Sequence, residues 1–249
     1  MMDLLSRDCT EVLAQMAGAR VLLGFDFDGT LAPIVDERDA AQMRTPTAAL
    51  FATVCGLYPC VVISGRSRRD VRSRLAGAAV RSVVGNHGVE PGAGLGDFAH
   101  EIARVKGLLQ LALADCQGVD IEDKRYSLAV HYRKARQKRA VRAAIHQAVE
   151  ALPLPMRSVA GKLVINVLPA RAPNKGDALL RLRTSYGADT ALYVGDDVTD
   201  EDVFRLDQPG RLLTVRIGQS RTSAATCFVR AQADIDRLLS RLVSLRASR

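Results

Sequence analysis

Two aspartates two positions apart, Asp26 and Asp28, follow the apolar run Val21-Leu22-Leu23-Gly24-Phe25 and precede Gly29-Thr30-Leu31. Side chains alternate along an extended chain, so both carboxylates point to the same side where a buried strand leaves its sheet. Like charges that close raise one pKa unless a cation or a proton lies between them, so the pair implies a metal, a shared proton, or both. The plainer alternative is an Asp-Gly turn whose aspartates bond their own backbone, but the apolar strand before the pair and Gly-Thr-Leu after it favour chemistry. Gly29 permits a sharp turn and Thr30 adds a hydroxyl donor. A second acidic stretch, Asp196-Asp197-Val198-Thr199-Asp200-Glu201-Asp202, follows the strand-like Thr190 to Gly195 and holds five carboxylates in seven positions. Thr199 suits an N-cap and acids favour a first helical turn, which accounts for Glu201 and Asp202. Asp196 and Asp197 precede that turn, where nothing local offsets their charge. Hard oxygen ligands at a strand end opposite a phosphate imply Mg²⁺, which takes one or two carboxylates and keeps several waters.

Other residues could hold the anion. Cys60 to Ile63 reads as a buried strand that ends in Ser64-Gly65-Arg66, with a helix starting near Ser67. A hydroxyl beside a helix N-terminus makes a phosphate cradle, although Ser64 could equally cap its own turn. Lys175 opens an amphipathic helix at the end where the dipole disfavours cations, so it asks for an anion unless it simply faces solvent. His87 ends a third strand, Val80 to Val84, in Gly85-Asn86-His87-Gly88-Val89-Glu90, where it can serve the turn or touch a substrate.

The elements that must position these groups follow from hydrophobic patterning. Strands alternating with helices predict an α/β core with a parallel sheet, and active groups at strand ends are what such a sheet displays. Residues 85–96 hold five glycines, which marks a boundary. Beyond it Ile102, Val105, Leu108, Leu109 and Ala112 recur at helical spacing, as do Val141, Ala144, Ile145, Ala148, Val149 and Leu152. Leu128, Val130 and Tyr132 alternate with polar or small residues, and so do Leu163, Ile165 and Val167. An α+β insert over 92–171 is predicted, with one sheet face free to close over the core made by 1–91 and 172–249. Lys124 and Asn166 are polar groups that such a face could offer a substrate. Pro169 to Pro173 reads as the return linker, and Leu213 to Ile217 and Asp234 to Leu245 as a last strand and helix.

Composition sets the class. The chain has 249 residues, 48% hydrophobic and 25% charged, which is globular. Met1 to Arg20 carries Asp3, Asp8 and Glu11, so it lacks the pattern of a secretory signal, and no apolar run approaches a membrane span. Five scattered cysteines outside any metal spacing suggest reduced thiols and a cytoplasmic setting. The net charge of +8 is concentrated between Lys124 and Arg142, but without tryptophan or a recognisable motif it does not argue for nucleic acid. A basic face that steers a small anion, or a plain solvated surface, explains it. No nucleic-acid or membrane partner is expected, and a monomer is.

The stretch D-F-D-G-T-L resembles motif I of the haloacid dehalogenase superfamily, which implies Asp26 as nucleophile and Asp28 as general acid and base. Ser64-Gly65-Arg66 resembles motif II, whose hydroxyl holds the phosphoryl group; Lys175 resembles the motif III lysine; G-D-D-V-T-D-E-D resembles motif IV, with Asp196 the metal ligand and Asp197 and Asp200 as indirect or water-mediated ones. An insertion between motifs II and III is the type 2 cap arrangement. Together with V-G-N-H-G-V-E and E-D-K-R-Y-S-L-A-V-H-Y-R, these motifs resemble the trehalose-6-phosphate phosphatase family. The resemblance implies a Rossmann-like core with a smaller α+β cap and Mg²⁺-dependent hydrolysis of trehalose 6-phosphate through an aspartyl-phosphate. In it the metal meets Asp26, the Asp28 main-chain carbonyl and Asp196, and Gly65, Arg66, His87, Glu90, Lys124 and Asn166 are candidates for sugar contact. The chain departs from the family pattern G-K-x-V-x-E-x-R-P, since Asn166 and Leu168 stand where glutamate and arginine are usual. A phosphatase for another sugar phosphate, such as glucosylglycerol phosphate or sucrose 6-phosphate, or a sugar-phosphate-binding regulator on a silenced core, are the alternatives. A silenced core would lack Asp26, Asp28, Lys175 or Asp196, and all four are present.

Overall fold

The structure is a computed structural model and describes residues 1–6, 9–206 and 208–247. The chain forms two compact units, Met1–Gly88 with Asn174–Arg249, and Val89–Pro173.

In chain order the first unit begins with β1 (Met2–Asp3), α1 (Thr10–Gly18), β2 (Val21–Phe25), α2 (Thr45–Leu57), β3 (Cys60–Ile63), α3 (Arg68–Arg74) and β4 (Ser82–Val84). The second unit contributes α4 (Leu95–Ala112), β5 (Asp120–Asp123), β6 (Leu128–His131), α5 (Lys138–Glu150), β7 (Met156–Gly161) and β8 (Val164–Pro169). The first unit resumes with α6 (Lys175–Ser185), β9 (Thr190–Gly195), α7 (Glu201–Phe204), β10 (Leu212–Ile217), β11 (Cys227–Val229) and α8 (Ile235–Ala247).

The first unit is an α/β layer structure around a seven-stranded parallel sheet in the order β1-β11-β10-β9-β2-β3-β4. All five residues of β2 are buried, because both sheet faces are covered. Leu23, Phe25, Leu192 and Val194 pack with Leu13, Phe51, Val54, Leu238 and Leu242 from α1, α2 and α8. Their strand neighbours Leu22, Ala191 and Tyr193 pack with Ala178, Leu179, Val203 and Phe204 from α6 and α7. Strand order runs outward in opposite directions from β2 and β9, and the switch between them opens the crevice where such sheets bind ligands.

The second unit carries a four-stranded antiparallel sheet, β5-β6-β8-β7. Leu128, Val130, Ile165 and Val167 turn one face toward Ile102, Val105, Leu109, Ile145 and Val149 of α4 and α5. The alternate residue Leu168 packs in a smaller cluster with Val89, Phe98, Tyr126 and Ala172. The opposite face is thus partly covered by apolar contacts.

Four strands exceed the sequence expectation. β1 and β11 are two and three residues long, too short to show a period. β5 is the acid-rich Asp-Ile-Glu-Asp, and β7 has no fully buried residue, as edge strands often lack an apolar alternation. Among the described residues no helix is long and apolar enough to cross a membrane.

Candidate active site

The site grows from the C-terminal ends of three neighbouring strands. β2 hands the chain to Asp26, whose backbone N–H continues the ladder to the Val194 carbonyl at 2.9 Å. The Asp26 carboxylate is buried; Oδ1 accepts from the Phe27 N–H at 2.7 Å and Oδ2 faces Lys175 Nζ at 2.9 Å. Gly29 then turns with φ 79°, and a Cβ there would collide with the Asp196 carboxylate, so motif I and motif IV approach only because this residue is glycine. Thr30 Oγ1 donates to Asp196 Oδ1 at 3.2 Å.

Lys175 is the first residue of α6, which Asn174 caps in a reciprocal box with Asp177. Its ammonium is 1% exposed and lies between two carboxylates, Asp26 and, at 2.8 Å, Asp200 Oδ1. The solvent-facing alternative for this lysine is thereby excluded. Asp200 is a hub: Oδ1 also accepts from the Tyr193 hydroxyl at 2.7 Å, and Oδ2 accepts from the Asp196 and Asp197 N–H groups at 2.9 Å each. Asp197 caps the 3₁₀ turn Val198–Asp200.

These distances create an electrostatic demand. Burial pushes the Asp26 carboxyl up to about 7, with Lys175 pulling down and Asp200 and Asp28 pushing up. Burial also pushes Asp196 up to about 8, with Asp26, Asp200 and Asp197 adding to it. Asp197 is raised, again mainly by burial. Burial works against the Lys175 charge, but Asp200 and Asp26 outweigh it and hold the ammonium protonated. One ammonium therefore leaves Asp26 and Asp196 short of positive charge. Asp26, Asp196 and Asp200 each offer an oxygen within 4.8 Å of the others, a hard-oxygen set that fits a small dication. Each Asp200 oxygen already accepts two bonds, whereas each Asp26 oxygen meets one donor and Asp196 Oδ1 accepts from Thr30, so Asp26 and Asp196 are the members with lone pairs to spare.

At the end of β3, Ser64 is buried and its Oγ accepts from the Arg66 N–H at 3.2 Å, as a turn cap does. Arg66 is also buried and pairs with Asp28 and Asp70. His87, buried in the turn after β4 at φ 59°, lies against Gly65, where a Cβ would strike the imidazole. Asp26, Asp28, Ser64, Gly65, Arg66, His87, Lys175, Asp196, Asp197 and Asp200 thus all belong to the first unit. Glu90, Lys124 and Asn166 belong to the second. There Lys124 Nζ donates to Asn166 Oδ1 at 3.4 Å, and Asn166 Nδ2 to the Val159 carbonyl at 3.5 Å.

Sequence reasoning passed over two residues. Tyr193 looks like one more apolar strand residue, and the signal was its hydroxyl, which needs a partner when buried. Glu122, beside Ala129 and paired with His131 at 3.1 Å, shares the sheet face of Asn166; its acid-rich strand gave no apolar alternation to place it.

The trehalose-phosphatase family model matches residues 24–226. A trehalose-phosphate phosphatase of Mycobacterium avium is 34% identical over 252 residues, covering 92% of this chain and 60% of its own length. The chain spans about three-fifths of the length of this relative and of a probable trehalose-phosphate phosphatase of Oryza sativa. The C-terminal domain of a Candida albicans trehalose-6-phosphate phosphatase superposes with TM-score 0.79 at 22% identity, over 95% of this chain and 97% of that one. An Aspergillus fumigatus trehalose-6-phosphate phosphatase does so with TM-score 0.67 at 27% identity, over 98% and 99%. The motifs, the sheet that carries them and these matches agree: the chain belongs to the trehalose-phosphatase family.

Proposed function

We propose that this chain is a phosphatase that hydrolyses trehalose 6-phosphate to trehalose and phosphate. The observation that carries the reading is the buried Asp26 carboxylate, 2.9 Å from a buried lysine at a helix start, in a chain of this family. Asp26 attacks phosphorus in line; the departing sugar oxygen keeps the P–O electron pair and takes a proton from Asp28, which leaves an aspartyl-phosphate. Water then attacks that phosphorus, passes its proton to Asp28 and restores Asp26. Lys175 and the Ser64 hydroxyl hold the phosphoryl oxygens, and the ammonium's burial strengthens its field on them.

Mg²⁺ is the cofactor that the donor set fits. Asp26 and Asp196 would hold it directly and Asp28 through its main-chain carbonyl, with Asp197 and Asp200 shaping the loop around it. When bound, it supplies positive charge to the phosphoryl oxygens. In this reading residues 1–91 and 172–249 are the hydrolase core, and 92–171 give sugar specificity through Lys124 and Asn166, with Gly65, Arg66, His87 and Glu90 from the core. The free thiols fit a cytoplasmic setting.

A second substrate reading, another sugar phosphate, is favoured by one specific observation. Leu168 is fully buried among Val89, Phe98, Tyr126 and Ala172, so no cation is available at this position for a sugar. Phosphate release from trehalose 6-phosphate, glucose 6-phosphate, sucrose 6-phosphate and glucosylglycerol phosphate, with Mg²⁺ and with EDTA, separates these readings. Preference for trehalose 6-phosphate supports the first, metal-dependent preference for another ester supports the second, and no release from any of them overturns both.

A further inference from the structure

Arg66, a candidate for sugar contact by resemblance, aims its guanidinium at a carboxylate of the reaction. Nε donates to Asp28 Oδ2 at 2.6 Å and Nη2 to Asp28 Oδ1 at 2.8 Å, a bidentate pair. Nη1 donates to Asp70 Oδ2 at 2.8 Å, one helical turn further on. The other Asp70 oxygen accepts from Arg74 Nε at 2.8 Å, and Arg74 Nη1 reaches the main-chain carbonyls of Asp39 at 2.9 Å and Ala41 at 2.8 Å. The guanidinium carbon also lies 6.0 Å from the centre of the Phe27 ring. Arg66 is therefore fixed on several sides: its side chain is 4% exposed while that of Asp28 is 39% exposed.

The chemistry gives this asymmetry a meaning. A part-exposed aspartate on a turn can rotate about two bonds, yet a general acid and base needs one geometry. A planar fork fixes the plane of a carboxylate in a way that a lysine's point charge cannot. Each carboxylate oxygen accepts one N–H here and has a further lone pair, so an outward side remains for a proton.

We propose that Arg66 is a positioning residue that clamps the Asp28 carboxylate, with Asp70 and Arg74 setting the plane of the clamp. The clamp rests on the phosphatase reading, in which Asp28 gives a proton to the sugar oxygen and takes one from water. Sugar contact is then not its main role.

The test uses the full chain with Mg²⁺, as wild type, Arg66→Lys, Arg66→Ala and Asp70→Asn, each also in an Asp28→Asn background. Substrates are trehalose 6-phosphate and p-nitrophenyl phosphate, which has no sugar but whose phosphoenzyme still needs Asp28 to activate water. Arg66→Lys is expected to lower kcat roughly 100-fold on both, with the KM for trehalose 6-phosphate within about threefold. Asp70→Asn, which leaves the arginine in place, is expected to lower kcat about tenfold in the same pattern. Neither should cost more activity once Asp28 is Asn. If Arg66→Ala does not fold, the lysine variant and Asp70→Asn still decide. A raised KM for trehalose 6-phosphate with wild-type turnover of the aryl ester would overturn the clamp and make Arg66 a sugar ligand. Losses that multiply with Asp28→Asn would overturn it too. Wild type inactive on both esters would instead strike the phosphatase reading, and the clamp with it.

Discussion

The strand ends of the parallel sheet and the polar face of the antiparallel sheet both carry candidate ligands, but they are built differently. In the first, Asp200 alone accepts four hydrogen bonds of 2.7–2.9 Å, and Lys175 is held between two carboxylates at 2.8 and 2.9 Å. In the second, the contacts of Asn166 are 3.4 and 3.5 Å long, near the limit of a hydrogen bond. Short, saturated contacts on rigid strand ends preorganise chemistry, whereas long ones leave room to adapt. On the proposed reading, the phosphoryl chemistry is fixed by the first region, and differences in sugar preference fall to the second.

Removing the centre of the first region should have the largest effect. Asp26→Asn should fold, because the amide replaces a carboxylate whose charge burial disfavours, and should lose roughly 10⁴-fold or more in kcat, as loss of a nucleophile does. Comparable phosphate release by that variant would remove Asp26 from the chemistry. Asp200→Asn comes next: its amide nitrogen must face either the Lys175 and Tyr193 donors or two backbone N–H groups. Breaking such a buried pair costs about 3–5 kcal/mol, so the melting temperature should fall together with kcat. Tyr193→Phe removes only one bond to the hub, worth about 1 kcal/mol, and should slow turnover several-fold. If Tyr193→Phe were as damaging as Asp200→Asn, the aspartate would not be the hub.

The acid pair also predicts a pH dependence. The folded values of about 7 for Asp26 and about 8 for Asp196 lie above the ordinary carboxylate range. Above pH ~4 the unfolded chain has released protons that the fold still holds, so the stability of the metal-free protein falls as pH rises toward 8. Mg²⁺ competes with those protons and should stabilise more at pH 8 than at pH 6. Melting in EDTA should drop by several degrees between these two values, and Asp196→Asn should remove most of the drop. A flat profile in wild type would mean that the two carboxylates are not short of charge.

How much was readable beforehand follows the same division. Asp26, Lys175 and Asp196 stood out in the sequence because each breaks a local rule, a paired charge at a strand end or a cation at a helix start, and in the structure Asp26 and Asp200 meet the lysine's charge. The parallel sheet was legible from β2, β3 and β9, whose runs are buried on both faces. β5 and β7 were not, because edge strands with one wet face carry no clean alternation. The pairing of Arg66 with Asp28 and Asp70 depends on residues 38 and four positions away meeting at one point, which no spacing encodes. Leu168 could be read as a missing arginine, but only packing reveals that its position is apolar core.

The smallest effect is also the one that separates the two regions most directly. Asn166→Glu would put a carboxylate beside Lys124 and forfeit the amide's bond to the Val159 carbonyl. A charge-assisted bond to a sugar hydroxyl exceeds a neutral one by about 1 kcal/mol, so the KM for trehalose 6-phosphate should fall about fivefold. Turnover of p-nitrophenyl phosphate should stay at its wild-type value, because no sugar is there to accept the gain. Were kcat to change equally on both substrates, Asn166 would act on the phosphoryl chemistry itself, and the separation of a rigid reaction centre from an adaptable recognition face would fail.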